Sequence, residues 1–230
     1  MRRVHLTLSA LLLSLSAGVL SVGAHADEHV DPWESFNRPV FTFNDTLDTY
    51  ALRPIAKGYN YVTPQILDDG ISNVFDNVGE VNNLANNLLQ GKLHNAGVDT
   101  ARLLINTTVG LLGFFDVATH AGLTRSNEDF GQTLAVWGLG SGPYVMVPFL
   151  GPSTPRDFTG TLADTTRIMV GNIGHVPTRN SITATNVIDT RADLLESEKL
   201  ITGDKYTFIR NAYLQRRDYL INDGVVEDDF

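Results

Sequence analysis

Four histidines, His29, His94, His120 and His175, lie beyond the first 26 residues of this 230-residue chain. None stands four residues from another with a carboxylate between, so the helical zinc-hydrolase pattern is missing. No G-x-S-x-G elbow occurs, which leaves a hydrolase built on Ser141 or Ser153 and a distant histidine as a rival reading only. Gly138-Leu139-Gly140-Ser141-Gly142 has the glycines of a phosphate-cradling loop. It lacks the following Lys-Ser/Thr and a preceding strand, so it reads as a hinge or turn. Asp157 with Asp164, and Asp189 with Asp193, are spaced for paired acid–base work. On helices such pairs read as solvated surface charge. Glu128-Asp129 reads as a helix start, where carboxylates suit the N-terminal dipole. Arg210, Arg216 and Arg217 offer cations to a phosphate but read first as a solvated helix face. There is no cysteine, which excludes disulfides, thiolate metal sites and thiol nucleophiles. The residues point away from an enzyme and imply no cofactor or metal.

Composition narrows the class further. Hydrophobic residues make up 43% and charged residues 19%, enough apolar surface to fold. The net charge of −9 argues against nucleic acid, since phosphates need a basic field. Arg2 and Arg3, an uncharged run from Leu6 to Val22, and Ala24-His25-Ala26 form a secretory leader cleaved after Ala26. An uncleaved anchor is the alternative. The rest, residues 27–230, reads as one domain exported from the cytoplasm.

The elements that must position any site are helical. Phe36, Val40, Phe43 and Leu47 share one helix face, with Pro39 in the first turn or at a bend. Thr63-Pro64 is a helix start. Leu67, Ile71, Val74, Phe75 and Val78 then form an apolar stripe that runs on to Leu88 and Leu89 and stops at Gly91. The opposite face is polar, with Asn82, Asn83, Asn86 and Asn87 at its end. Asparagine is a mediocre helix former, so burial of the apolar side should stabilise this helix. Further helices are expected over Lys92–Leu112, Asn186–Leu200 and from an Asp204 cap to Gly224. No alternating run is long enough for a sheet, so the class is all-α.

One segment does not look soluble. Phe130 to Pro155 carries no charge, yet Gly138, Gly140, Gly142, Pro143 and Pro148 interrupt it. A spanning helix would leave carbonyls that lipid cannot satisfy. The expected geometry is a short helix over Asp129–Trp137, a Gly-Pro turn, and an extended return from Tyr144 to Leu150. A buried hairpin in a soluble protein fits the same composition. A second uncharged run, Leu103–Phe115, is too short to span but suits a membrane interface. Trp33, Trp137 and the tyrosines suit headgroup level.

Six ordered blocks resemble the MlaA/VacJ family: DPWESFNRPVFTFND (31–45), LRPIAKGY (52–59), NNLLQGK (86–92), INTTVGLLGFFDVA (105–118), EDFGQTLAVWGLGSGPYVMVPFLGPSTPRD (128–157) and AYLQRRDYLINDG (212–224). The resemblance implies a ring of amphipathic helices lying in the periplasmic leaflet of the outer membrane around an amphipathic channel. It implies removal of mislocalised phospholipid from the outer leaflet and its transfer to a periplasmic carrier, MlaC, beside a trimeric porin. The alternative is a soluble periplasmic lipid- or solute-binding protein. A brace for the porin that moves no lipid is a further rival. In the transporter reading the Gly/Pro hairpin is a gate. Gly138, Gly140, Gly142 and Pro143 form its hinge, and Tyr144, Phe149 and Leu150 its moving arm. The asparagine-rich and acidic faces would meet water or the headgroup path. Most family members are lipoproteins acylated on an N-terminal cysteine. That cysteine is absent here, so attachment without lipidation, through the fold, is the expectation.

Overall fold

The computed structural model describes residues 31–225. The leader read at residues 1–26 lies outside them. Ten α-helices and one small hairpin account for these residues: α1 Glu34–Leu47, α2 Arg53–Val62, α3 Gln65–Leu89, α4 Leu93–Thr108, α5 Val117–His120, α6 Phe130–Val136, β1 Val145–Val147, β2 Gly151–Ser153, α7 Pro155–Ala163, α8 Thr165–Gly171, α9 Val176–Ser197 and α10 Lys205–Ile221. A π-helical turn, Asp48–Leu52, joins α1 to α2, and a 3₁₀ turn, Glu198–Leu200, follows α9. The all-α reading holds, with one two-stranded antiparallel exception, Val145 facing Ser153 and Val147 facing Gly151.

Local chemistry sets the boundaries. Asp129 caps α6 by accepting from the Gln132 N–H, and Asp204 caps α10 through Thr207. Thr154 caps α7, with Pro155 in its first turn. The start expected at Thr63-Pro64 falls one residue later. Thr63 ends α2, and Pro64, extended at ψ 143°, caps α3. Helix α9 begins ten residues before the expected Asn186, because His175 caps it and Pro177 fits its first turn. Helix α4 stops at Thr108 rather than Leu112, since Leu111, Leu112 and Gly113 all take positive φ.

Neighbouring elements form a closed circuit. Helix α1 packs on β1, β1 on β2, β2 on α10, and α10 on α6. The circuit continues through α7, α8 and α9 to α2, and the π turn returns it to α1. Helix α3 braces it from α4, α6, α8 and α9. At the α6–α7 crossing, a Cβ on Gly160 would lie 2.3 Å from the Gly131 nitrogen, so only glycine permits that approach.

The burial pattern is inverted relative to a water-soluble protein. Apart from four small alanines, the buried hydrophobics are Tyr144, Met146 and Tyr206, packed with Val40, Phe41, Tyr213 and Leu214. The rest of the interior is polar. On α3 it is Asn77, Glu80, Asn83, Asn86 and Asn87 that are buried, while Leu67, Leu88 and Leu89 are exposed. Burial of the apolar stripe therefore does not stabilise this helix. Its asparagines do, by side-chain hydrogen bonds: Asn83 to the Ser126 carbonyl at 2.9 Å, Asn87 to Asp99 at 2.7 Å and Asn77 to Thr107 at 3.0 Å. The expectation that the asparagine face meets water or a headgroup path is overturned for these residues, which face the protein.

Apolar residues instead cover the outside. Tyr61 is 91% exposed, Leu112 74%, Phe149 73% and Leu93 72%. Contiguous apolar surface on this scale marks a membrane or partner. No helix among the described residues is long and apolar enough to cross a membrane.

Candidate functional site

The residues suggested for catalysis do not assemble. Ser141 donates to the carbonyl of Gly142, and Ser153 to that of Thr154. His120 Nδ1 lies 2.8 Å from the Asp116 carbonyl, and His175 Nδ1 2.7 Å from the Thr178 hydroxyl. No group of three or more acidic, histidine or cysteine side chains is placed to hold a metal among the described residues.

Several of the charged residues read as solvated faces are corrected by the structure, whereas Asp193 and Arg216 are exposed as expected. Asp157, Asp189, Arg210 and Arg217 are all buried. Arg217 Nη2 donates to Asp157 at 3.0 Å and Arg217 also pairs with Asp129, so it ties α10 to the α6–α7 crossing. Asp189 accepts from Tyr59 of α2 and Ser72 of α3, both at 3.0 Å. Asp164 accepts from the Phe130 N–H and from Asn82. Glu128 does not serve a helix dipole. It accepts from Lys92 and Gln90. On α3 and α4 the polar stripe turns inward, with Asp99, Arg102 and Asn106 buried on α4 as the asparagines are on α3.

A cavity of about 430 Å³ opens between α1, the π turn, the hairpin, α9 and α10. Phe41, Met146, Pro152, Leu194, Ile201 and Phe208 give it apolar lining. Asp45, Asp48, Arg191, Glu198 and Lys205 border it, yet the surface that faces the cavity is almost wholly apolar. These charges form a ladder. Arg191 holds Asp48 with two contacts, 2.6 and 2.8 Å, and Glu198 at 2.7 Å. Lys205 reaches Asp45 at 2.6 Å and Glu198 at 3.2 Å. Arg53 stands 3.5 Å from Glu198. The backbone explains the placement. Asp45 lies in the last turn of α1, and Asp48 opens the π turn, a widened geometry that recurs at functional sites. Lys205 begins α10 just after the 3₁₀ turn that carries Glu198.

Electrostatics keep the ladder ionised. Burial pushes the Glu198 carboxyl up, but hydrogen bonds from Arg191 and Lys205 outweigh it and hold it below its ordinary value. The hydrogen bond to Asp48 raises Arg191, and against burial Asp45 and Glu198 raise Lys205. Elsewhere, burial opposes ionisation of Asp157, yet Arg217, Tyr213 and Arg156 hold its carboxyl low. Asp189 and Asp193 shift the other way: burial raises both, the fields of Asp68 and Asp76 add to it, and at Asp193 that of Asp189 does too.

A pH dependence follows. A carboxyl whose folded pKa lies below its unfolded value, near 4, adds stability present above that value and lost as pH falls through the folded one. Asp157 and Glu198 are of this kind. A carboxyl with a raised folded pKa destabilises at neutral pH and is relieved as pH falls through that value, as for Asp189 and Asp193. Thermal unfolding in detergent should therefore show a melting temperature at pH 5 no lower than at pH 7, then a fall below about pH 4. A steady decline from pH 7 would contradict these assignments.

The hairpin beside the cavity differs from its expected form. Its first part is α6 followed by an exposed glycine loop, with Gly138 at φ 89° and Gly142 at φ 73°, where an L side chain would be strained. Gly140 and Pro143 lie in the same loop. The extended return does not run from Tyr144 to Leu150. It ends at Val147, turns through Phe149 at φ 65°, and comes back as β2. Tyr144 belongs to the buried aromatic core, whereas Phe149 and Leu150 are exposed at the tip.

Two asparagines of α1 hold this hairpin. Asn37 donates to the Tyr144 carbonyl at 3.1 Å and accepts from the Met146 N–H at 2.8 Å. Asn44, two helical turns on, donates to the Val147 carbonyl at 3.0 Å and accepts from the Phe149 N–H at 2.8 Å. Phe43 meets the Phe149 ring edge-on at 5.2 Å. Neither these asparagines nor the ladder residues were singled out in the sequence. The spacing of seven between Asn37 and Asn44 was the available signal, since it sets both on one helix face. The ladder had none, because Asp48 and Arg191 are 143 residues apart.

Comparison with known proteins agrees with the architecture. The family described as MlaA lipoprotein matches residues 29–220. A protein of Escherichia coli (strain K12) named intermembrane phospholipid transport system lipoprotein MlaA is 37% identical, covering 95% of this chain and 90% of its own. A protein of the same name from Haemophilus influenzae is 32% identical over 86% and 81%. A solved structure concerned with the structural basis for maintenance of bacterial outer membrane lipid asymmetry superposes with a TM-score of 0.74 at 37% identity, covering 84% of this chain and all of that one. The relatives are named lipoproteins, which runs against the expectation of an unlipidated protein, although the 230 residues contain no cysteine.

Proposed function

This chain belongs to the MlaA lipoprotein family, and from that premise we propose that it moves phospholipid between membranes as an outer-membrane component. It takes mislocalised phospholipid from the outer leaflet and passes it through the cavity to a periplasmic carrier, MlaC. A trimeric porin is its neighbour in the membrane. The carrying observation is the inversion around the cavity. Apolar side chains cover the outside, and the cavity surface is itself almost wholly apolar, with the paired charges held at its border. An apolar cavity of this kind suits acyl chains. The test is outer-leaflet phospholipid, measured by surface labelling in a deletion strain with and without the gene restored. Accumulation that restoration reverses is expected. No accumulation would defeat the transport reading, and a protein released into the periplasm without detergent would favour the soluble binder.

Membrane contact through the hairpin tip has its own test. The chain holds Leu111, Leu112 and Phe149 outward although each takes a left-handed backbone, a conformation costing about 1–2 kcal/mol for such residues. Phe149→Asp is expected to move the protein toward the soluble fraction, since an acidic residue in the apolar layer costs about 3 kcal/mol on insertion scales. Unchanged fractionation would show that the tip does not enter lipid.

A further inference from the structure

Helix α10 carries a buried cation that no carboxylate among the described residues neutralises. Arg217 pairs with Asp129 and Asp157, and Arg216 is exposed. Arg210, seven residues before Arg217 on the same face, is only 5% exposed. Its one hydrogen bond runs from Nε to the neighbouring Asn211 at 3.1 Å. Nη1 and Nη2 donate to nothing, and neither is sealed from solvent as the unpartnered Arg217 Nε is. A shielded charge without a counter-ion is costly, so its retention calls for a partner from outside the chain.

A second unused donor lies against the same stretch of helix. The Tyr144 ring meets those of Tyr206 and Tyr213 edge-on, with centres 6.3 and 6.2 Å away. These two stand one turn before and one turn after Arg210, so Tyr144 packs across the turn that carries it. The field of Arg210 reaches the Tyr144 and Tyr206 hydroxyls, opposing the burial that pushes both up. Tyr206 donates to Asp31 and Tyr213 to Asp157. The Tyr144 hydroxyl, on a side chain 4% exposed, is closed to water and has no partner. Asp31 does not pair with Arg210, for Asn37, the Trp33 N–H and Tyr206 take its oxygens. A guanidinium fork beside a hydroxyl, both without acceptors, suits the several oxygens of a phosphate. The two donors adjoin the apolar cavity without lining it. Met146, two residues from Tyr144, and Ile209, next to Arg210, do line it.

We propose that Arg210, as anchor, and the Tyr144 hydroxyl, as second donor, form a phosphate-binding site on the buried face of α10. The choice of phosphate rests on the phospholipid-transport reading and deepens it. A phospholipid head and free phosphate share this chemistry, and the test separates them. Purified full-length protein in detergent is incubated with equimolar phosphatidylglycerol and diacylglycerol of the same chains, repurified, and its retained lipid quantified by mass spectrometry. In parallel, thermal unfolding is followed with and without inorganic phosphate. The wild type is expected to retain phosphatidylglycerol in excess, and Arg210→Met to lower that excess about tenfold. Tyr144→Phe, which removes a single oxygen, should lower it less and in the same direction. In phosphate-free buffer Arg210→Met should melt no lower than the wild type, because it removes an unpaired charge and breaks no ion pair. A clearly lower melting temperature would show that the cation serves the fold and would overturn the proposal. A lipid excess unmoved by both changes, with a melting temperature that inorganic phosphate raises only while Arg210 is present, assigns the site to free phosphate. If neither readout depends on Arg210 or Tyr144, the site is disproved, while wild-type retention of phospholipid leaves transport standing. Retention of neither lipid by the wild type overturns the transport reading, and the headgroup source with it.

Discussion

Arg102→Met is expected to lower the unfolding free energy by about 3–5 kcal/mol, because it strands a buried carboxylate. Arg102 is 2% exposed and Glu80 1%. Arg102 Nε donates to Glu80 at 2.6 Å, Nη1 to the Thr119 hydroxyl at 2.9 Å and the Leu123 carbonyl at 2.6 Å, and Nη2 to Asp116 at 3.1 Å. One side chain on α4 thus organises α3, α5 and the loop after it. Without it, Glu80 keeps Asn83, at 3.3 Å, and a distant Arg125. Removing both charges is different, since a buried ion pair replaced by neutral groups is often neutral in stability. Arg102→Met with Glu80→Gln should recover much of the loss. Chemical unfolding of the three variants in detergent gives the coupling energy directly. A loss under about 1 kcal/mol for the single change, or a double variant as damaged as the sum, would show that the interior tolerates an unpaired charge.

That interior was the part of the fold the sequence could not disclose. Helix positions were legible because periods of three and four residues survive whichever way a helix faces. The same stripe of Leu67, Ile71, Val74 and Phe75 that located α3 says nothing about which side meets protein. Hydrophobic periodicity gives the axis of a helix's asymmetry, and the solvent gives its sign. Reading the solvent as water placed Asn83, Asn86, Asp157, Asp189 and Arg217 outside, and all are buried. The family resemblance supplied the membrane, but without coordinates it did not say that buried hydrogen bonds replace an apolar core. The uncharged stretch after Asp129 was read as a hairpin of a short helix and one extended return, whereas that return folds into a hairpin of its own, β1 with β2. Its register was not legible, because Asn37 and Asn44 fix it from 103–109 residues away.

Bridging Phe43→Cys to Phe149→Cys with a short cleavable bifunctional thiol reagent is expected to reduce lipid transport to the level of the deletion, and cleaving the bridge to restore it. The native chain has no cysteine, so the reagent finds only the two introduced thiols. The site is apt because the two rings already meet edge-on, so the bridge fixes the observed arrangement without distorting it. The strength of the hairpin's attachment decides whether closing can be reversible. Asn37 and Asn44 contribute four hydrogen bonds to its backbone, each worth about 0.5–1.5 kcal/mol net. Opening would have to overcome their sum of about 2–6 kcal/mol and, if β1 itself moves, the burial of Tyr144 and Met146 as well. A firmer attachment would make the hairpin a wall, and a looser one would leave the cavity unguarded. If the hairpin is a gate, the positive φ of Gly138 and Gly142 would put its hinge between α6 and β1, and swinging β1 would have to unpack Tyr144 and Met146. Asn37 is fully buried and Asn44 only partly, so opening would begin at the Phe149 end, which the bridge ties down. Each single-cysteine variant, treated identically, should transport normally. If the bridged protein clears outer-leaflet phospholipid as fast as the unbridged one, the hairpin is part of the cavity wall, and lipid passes without moving it.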